Sequence, residues 1–312
     1  MCEITRQLSK ISSRLRRPLG TGARTLIVLS LFFTTGAHAT SVDWPCVQVN
    51  GRTLCPRLST VERNSAQSVA QPIAGHHCEI RSAQLFCQGD NHYGQVGNGE
   101  DSVHVAEAVP VRGLPAPVTQ VTLGRFHTCA IADGRAYCWG RNTYGQAGAG
   151  ERGFAPMPVL VAGLPSPVQQ ISAGDDFTCA LSGGGVWCWG SNLSRALGVE
   201  GMAFRRTPAP VAGLEREVSA LGAAGGGGCA LQRGALYCWG SFGNPRATIA
   251  RPQKVSSGDK NIQSFALTPG RGTAFDGRCF IGIPAVPLPG SPWFKAARQN
   301  PRQILNLGCL ER

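Results

Sequence analysis

Between residues 118 and 161 the apolar positions fall in short runs broken by turn residues, with no helical repeat pattern. Val118 to Leu123 is rich in β-branched residues. Thr128 to Ala132 and Arg135 to Trp139 flank Asp133-Gly134, and Pro158 to Val161 makes a fourth, shorter run. Short apolar runs on either side of an Asp-Gly dipeptide read as a β-hairpin with a two-residue turn. The segment therefore predicts four strands.

The same pattern recurs along the chain. Cysteine pairs nine positions apart stand at Cys46/Cys55, Cys78/Cys87, Cys129/Cys138, Cys179/Cys188 and Cys229/Cys238. Cys-Trp-Gly recurs at 138–140, 188–190 and 238–240. Asn91-His92-Tyr93-Gly94-Gln95 returns as Asn142-Thr143-Tyr144-Gly145-Gln146, and Val111-Arg112-Gly113-Leu114 returns as Val161-Ala162-Gly163-Leu164 and Val211-Ala212-Gly213-Leu214. A repeat of about fifty residues with four strands per unit predicts an all-β fold, a β-propeller of four-stranded blades. Six blades are expected, within a range of five to seven. A flat solenoid stack of such sheets is the alternative.

The cysteine spacing carries geometric information. A two-residue loop at Asp133-Gly134 makes cross-strand partners whose numbers sum to 267, as those of Cys129 and Cys138 do. Counted outward from the turn, that pair is a non-hydrogen-bonded one, with Cα atoms about 4.5–5.5 Å apart. A disulfide spans this distance. The other central dipeptides are Asn50-Gly51, Ser82-Ala83, Gly183-Gly184 and Arg233-Gly234. Ser82-Ala83 lacks glycine and leaves room for a different turn.

Composition agrees with a turn-rich β protein: 41 Gly and 21 Pro in 312 residues, with only 15% charged residues. Residues 1–39 read as a secretory signal peptide. Basic residues from Arg6 to Arg24 precede the apolar run Thr25 to Phe33, and Ala37-His38-Ala39 supplies an A-x-A cleavage pattern. Residues 40–312 then form a single propeller domain with degenerate first and last repeats. The leader holds six basic residues and one acidic one, so a formal charge of +12 less +5 leaves +7 on the mature part. No dense Lys/Arg block is present, and nucleic acid is not an expected partner. Without Cys2, twelve of the thirteen cysteines remain, and export permits disulfides. No membrane span is expected after the leader. The expected location is the periplasm or the extracellular space.

The elements Cys-Ala-Leu/Ile, a Gly turn, Tyr/Trp-Cys-Trp-Gly, Asn-x-x-Gly-Gln-x-Gly and Pro-x-x-Val-x-Gly-Leu resemble the repeats of the regulator of chromosome condensation family over about residues 73–240. The likeness is greatest to the exported, cysteine-paired bacterial branch. The resemblance implies a propeller of four-stranded blades. The sequence departs from the motif at Arg195 and Ala196, and most of the motif is lost after Gly240. Thr273 to Phe280 looks like a worn hairpin. The last two cysteines, Cys279 and Cys309, are expected to bond to each other.

Chemistry is scarce. A redox site wants C-x-x-C, and structural zinc wants pairs two to four residues apart; the pairs spaced by nine are neither. No G-x-S-x-G, P-loop or H-E-x-x-H motif occurs. His76, His77 and His127 precede hairpin cysteine positions and read as packing residues. Asp175-Asp176 would face opposite ways on a strand, though a loop can bring them together. No cofactor, metal or catalytic residue is expected.

What remains is the surface of the unrepeated linkers at about 91–109, 142–157 and 192–207, which carry His92, Tyr93, Tyr144, Arg152, Phe154, Phe204, Arg205 and Arg206. Aromatic and Arg side chains are enriched at interface hot spots. The expected function is a non-enzymatic scaffold that binds an unidentified protein through rim loops. Inhibition of an extracellular enzyme, as in the bacterial propeller inhibitors of β-lactamases that the resemblance admits, is one alternative. Glycan or cell-wall binding is another. Nucleotide exchange on a nuclear GTPase does not fit an exported, disulfide-stapled chain.

Overall fold

The computed structural model describes residues 47–49, 52–54, 75–100, 102–150, 153–241, 248–255, 261–268, 271–275, 279–283 and 306–309. The chain divides into Met1–Val42 and Asp43–Arg312, and all described residues lie in the second unit. The expected leader therefore lies outside the described residues.

Every regular element among the described residues is a strand, and each sheet is antiparallel with its strands in chain order. A hairpin pairs β1 (Val47–Val49) with β2 (Arg52–Leu54). The next sheet holds β3 (His76–Arg81), β4 (Gln84–Asp90) and β5 (His104–Pro110). Three four-stranded sheets follow. The first comprises β6 (Val118–Leu123), β7 (His127–Ala132), β8 (Arg135–Arg141) and β9 (Phe154–Leu160). The second comprises β10 (Val168–Ala173), β11 (Phe177–Ser182), β12 (Gly185–Ser191) and β13 (Phe204–Pro210). The third comprises β14 (Val218–Ala224), β15 (Gly226–Gln232), β16 (Ala235–Ser241) and β17 (Ile249–Lys254). The last sheet joins β18 (Ser264–Thr268), β19 (Arg271–Phe275), β20 (Cys279–Ile283) and β21 (Asn306–Cys309). These are the blades of a β-propeller. Six separate sheets are described, one of them only a hairpin.

The hairpin register is the one the spacing demands. Cys78↔Cys87, Cys129↔Cys138, Cys179↔Cys188 and Cys229↔Cys238 are Cα partners. Each pair is bonded, with Cα atoms 4.1 Å apart. Cys46 and Cys55 lie outside the described residues. The turns of these four hairpins all have two central residues at positive φ, the signature of a type I′ turn. Asp133 and Gly134 do so at 49° and 67°. Ser82 and Ala83 do so too, at 48° and 64°. The turn without glycine is thus no different in kind. Two L-residues are held where their Cβ atoms crowd the backbone, because a register fixed by Cys78 and Cys87 leaves a two-residue loop no alternative.

The outer strand of each blade starts earlier than the sequence pattern predicts. Phe154 pairs opposite Arg141 and Phe204 opposite Ser191. Pro156, Pro158, Pro208 and Pro210 lie within these strands, and proline is tolerated there because an outer strand has a free edge. A bulge separates the two halves of the pairing, between Cys138 and Gly140 in the second full repeat. Gly140 has φ +94°, and a Cβ there would lie 2.6 Å from the Phe126 carbonyl oxygen. The recurring Trp-Gly is therefore a bulge that no side chain can enter.

The core sits between blades. Trp139 packs with Cys78, Leu85, Cys87 and Val96 of the preceding blade. Trp189 packs with Ile131, Ala147 and Val161, and Trp239 with Leu181, Leu197 and Val211. All three indoles are fully buried. Inner strands are also tied to one another: Gln120 Nε2 donates to the Ile171 carbonyl at 3.1 Å, and Ile171 N–H donates back to Gln120 Oε1 at 3.0 Å. Gln170 repeats the contact with Leu221 N–H at 2.7 Å.

Candidate functional site

A buried polar cassette joins the β3–β5 sheet to β6–β9, and β6–β9 to β10–β13, beneath the rim loops. Thr128 Oγ1 and Trp139 Nε1 both donate to the Gln95 carbonyl, at 2.7 and 2.9 Å. The Thr128 hydroxyl proton is then committed, so His76 Nε2 must be the donor in its 2.9 Å contact with Thr128 Oγ1. One repeat later Thr178 and Trp189 converge on the Gln146 carbonyl at 3.0 Å each, and His127 Nε2 contacts Thr178 Oγ1 at 2.9 Å. Neither His76 Nδ1 nor His127 Nδ1 has a hydrogen-bond partner among the described residues. Both rings are therefore neutral. Burial pushes His76 down to about 4 and His127 to about 3, with His77 adding to the effect on His76, and His76 adding to that on His127; Asp90 opposes it at His76. The packing role expected for these two histidines is observed. Phe177 fills the same place in the next repeat, and the glycine beneath each ring, Gly124 or Gly174, leaves no room for a Cβ: one would lie 2.0 Å from His127 or 1.9 Å from Phe177.

The Asn-x-x-Gly-Gln loops are built from within. Asn91, Asn142 and Asn192 each accept a backbone N–H five residues on through Oδ1, at 3.0 Å. Gln95 and Gln146 accept the N–H of Tyr93 and Tyr144. Where Ala196 replaces the glutamine, the side-chain bond to the loop N–H is lost, and Gly228 in place of the threonine removes the hydroxyl donor. The Ala196 carbonyl still accepts from Trp239 Nε1 at 2.8 Å, because that acceptor is backbone.

On this frame the loops bring Tyr93, Phe126, Arg141 and Tyr144 together. The Arg141 guanidinium lies 5.5 Å from the Tyr93 and Phe126 ring centroids and 5.7 Å from that of Tyr144. Tyr93 and Phe126 meet edge to face at 5.5 Å. Arg125 covers Phe126 from outside at 5.0 Å. A third blade supplies Asp176, whose Oδ1 is 3.7 Å from Arg141 Nη1 and accepts from Gln146 Nε2 at 3.2 Å. Burial raises the Asp175 and Asp176 carboxyls. Each also feels a neighbouring charge: Asp176 raises Asp175, Arg125 opposes the rise at Asp175, and Arg141 and Arg125 oppose it at Asp176. The pair is loop-borne and half-buried, and Asp176 is bound into the arginine network.

Of the sequence-predicted surface residues, Tyr93 and Tyr144 lie in this cluster. His92 stands exposed beside it and pairs with Asp90. Burial works to raise the Asp90 carboxyl, but the hydrogen bonds from His92 outweigh it and hold the group below its usual range. Phe154, Phe204, Arg205 and Arg206 are not in the loops. They sit on the edge strands β9 and β13, where Phe154 is 54% exposed and Arg206 lies over the Phe204 ring at 4.7 Å. The correction follows from the early start of these strands. Arg152 lies outside the described residues. Sequence reasoning missed Arg125, Phe126 and Arg141. Their signal is variation at fixed phase: Phe126 aligns with Gly75, Asp176 and Gly226, and Arg141 with Asp90, Ser191 and Ser241.

Among the described residues no group of three or more His, Cys, Asp or Glu is placed to hold a metal ion, and no helix is long and apolar enough to cross a membrane.

Comparison with known proteins gives a consistent result. The regulator of chromosome condensation (RCC1) repeat matches residues 82–131 and 133–181, and a second form of the repeat matches 118–146. The E3 ubiquitin-protein ligase HERC2 of Homo sapiens is 32% identical over 112 residues, 34% of this chain and 2% of that protein. The probable E3 ubiquitin-protein ligase HERC3 of Homo sapiens is 36% identical over 98 residues, 30% of this chain and 9% of that protein. The chain thus spans a small part of these curated relatives. Among solved structures, human WBSCR16 superposes with a TM-score of 0.59 at 21% identity, covering 67% of this chain and 59% of that one. Prp20p from Saccharomyces cerevisiae gives 0.55 at 18% identity, covering 82% and 66%. Four stapled hairpins stand in one phase, and over residues 82–131 and 133–181 the chain carries repeats of the RCC1 type.

Proposed function

We propose that this chain is an exported, non-enzymatic propeller scaffold that binds a protein partner through the rim centred on Arg141. The observation that carries the reading is the cluster itself: three aromatic rings around one half-buried guanidinium, with Arg125 and Asp176 at its margin. Aromatic side chains lose little conformational freedom on binding, Arg141 is already held by its neighbours, and both residue types are enriched at interface hot spots. The cluster also stands on blade-to-blade hydrogen bonds, which hold it in shape before any partner arrives. Prp20p, which shares the fold, is described with binding to Gsp1p and histones. That supports a propeller as a protein-binding surface, while the partner of this chain is met in a different compartment. Four intrachain disulfides support an oxidising destination, as does the leader-like sequence at 1–39. N-terminal sequencing of the exported protein tests the leader. Affinity capture from the same compartment, with wild type beside a Phe126→Ala/Arg141→Ala variant, tests the site. A partner retained by wild type and lost by the variant is expected. Equal capture by both refutes the rim. A saturable glycan-array signal lost in the variant would replace the protein partner with a carbohydrate.

A further inference from the structure

The last blade keeps its cysteines in a different place. In the three stapled four-stranded blades the bond joins the second and third strands, and in the β3–β5 sheet it joins the first two described strands, each time within one hairpin. In the last blade β19 carries no cysteine, and Thr273 pairs opposite Gly282. Cys279 opens β20, Cys309 closes β21, and the two are Cα partners across the third and fourth strands.

We propose that Cys279 and Cys309 form a disulfide that latches the C-terminal strand onto the edge of the last blade. Three observations converge on it. Each of the four described bonds joins cysteines that are direct Cα partners, and Cys279 and Cys309 meet the same condition. Once those eight are bonded, the cysteines left after Cys2 are Cys46, Cys55, Cys279 and Cys309. Cys46 and Cys55 have the spacing of nine that every bonded pair has, which leaves Cys279 and Cys309 for each other. The third observation is need. In each stapled hairpin a two-residue turn already holds the partners together. The strand β21 is only four residues long and returns to β20 across residues 284–305. Closing so long an interval costs the chain more entropy than closing a hairpin, so a covalent bond contributes more here.

The chemistry balances by thiol–disulfide exchange. The thiolate of one cysteine attacks the disulfide of an exported protein oxidant, and a mixed disulfide forms. The second thiolate displaces the oxidant's sulfur. The chain gains one S–S bond and loses two protons and two electrons, and the oxidant leaves as its dithiol.

The test uses the full exported chain. Free thiols are blocked under denaturing, non-reducing conditions, and the protein is digested with trypsin and mapped by mass. The expected product is residues 279–295 joined to residues 303–312, unlabelled at both cysteines and split by reductant. A blocking label on either cysteine, or a bond from either to a different cysteine, would overturn the proposal. A second measurement reads the fastening: Cys309→Ser should lose at least tenfold in amide-exchange protection over 306–309, with the four hairpin bonds still present. Unchanged protection would overturn the latching role.

Discussion

Mild acid should loosen this propeller through one named side chain. His127 is fully buried, and burial pushes it from 6.5 to about 3. Its folded value lies below its unfolded one, so between those limits the unfolded chain binds the extra proton. Above pH 6.5 the ring is neutral in both states and costs nothing. As pH falls toward 3 stability is lost steadily, because unfolding releases a ring that then protonates. Between pH 7 and pH 5 the loss from His127 alone is about 2 kcal/mol. The variant that isolates it is His127→Phe, which nature has already tried one repeat later: Phe177 occupies the equivalent site above Gly174, as His127 does above Gly124. The substitution removes the 2.9 Å contact to Thr178, while Thr178 keeps its bond to the Gln146 carbonyl. Urea unfolding followed by tryptophan fluorescence at pH 7 and pH 5 reads the effect. Wild type should lose about 2 kcal/mol more than His127→Phe over that interval. The residual dependence belongs to His76, lowered to about 4, together with the carboxyls. Equal pH dependence in the two proteins would show that His127 is not a buried neutral ring.

Other expectations follow from the same geometry. Ser82→Asn with Ala83→Gly should raise stability by about 1 kcal/mol, since both residues sit at positive φ; a lowered melting temperature would contradict the turn type. Gly140→Ala places a Cβ 2.6 Å from the Phe126 carbonyl oxygen and should cost about 2–3 kcal/mol through strain, read as a fall in melting temperature. Trp189→Ala empties a fully buried site between two blades and should cost about 3–5 kcal/mol; a loss below 1 kcal/mol would mean the indole is not core.

The staples were legible in the sequence because two constraints meet in them. A turn of two residues and a spacing of nine leave one register, and Cys129 opposite Cys138 follows. The start of the edge strands was not legible. Phe154 and Phe204 precede prolines and follow variable linkers, which locally reads as loop. Only pairing to Arg141 and Ser191, a tertiary fact, makes them strand. The rim cluster was half legible. Tyr93 and Tyr144 stand out because they recur, whereas Phe126 and Arg141 are conspicuous only when each repeat is laid over the next and the odd residue is noticed. Their convergence also needs the three-dimensional offset between blades, since Arg141 touches rings from its own blade and from the one before, and a carboxylate from the one after.

The proposed binding face is the end of the propeller that carries Arg141 and its aromatic neighbours. In a four-stranded meander the loops holding Tyr144 and Phe126 emerge at the end opposite the hairpin turn at Asp133. Site-specific photo-crosslinking in the native compartment measures this directly, with a photoreactive phenylalanine analogue placed at position 144 or at position 133. A discrete crosslinked partner is expected from position 144 and none from position 133. Crosslinking from position 133 alone would contradict that binding face.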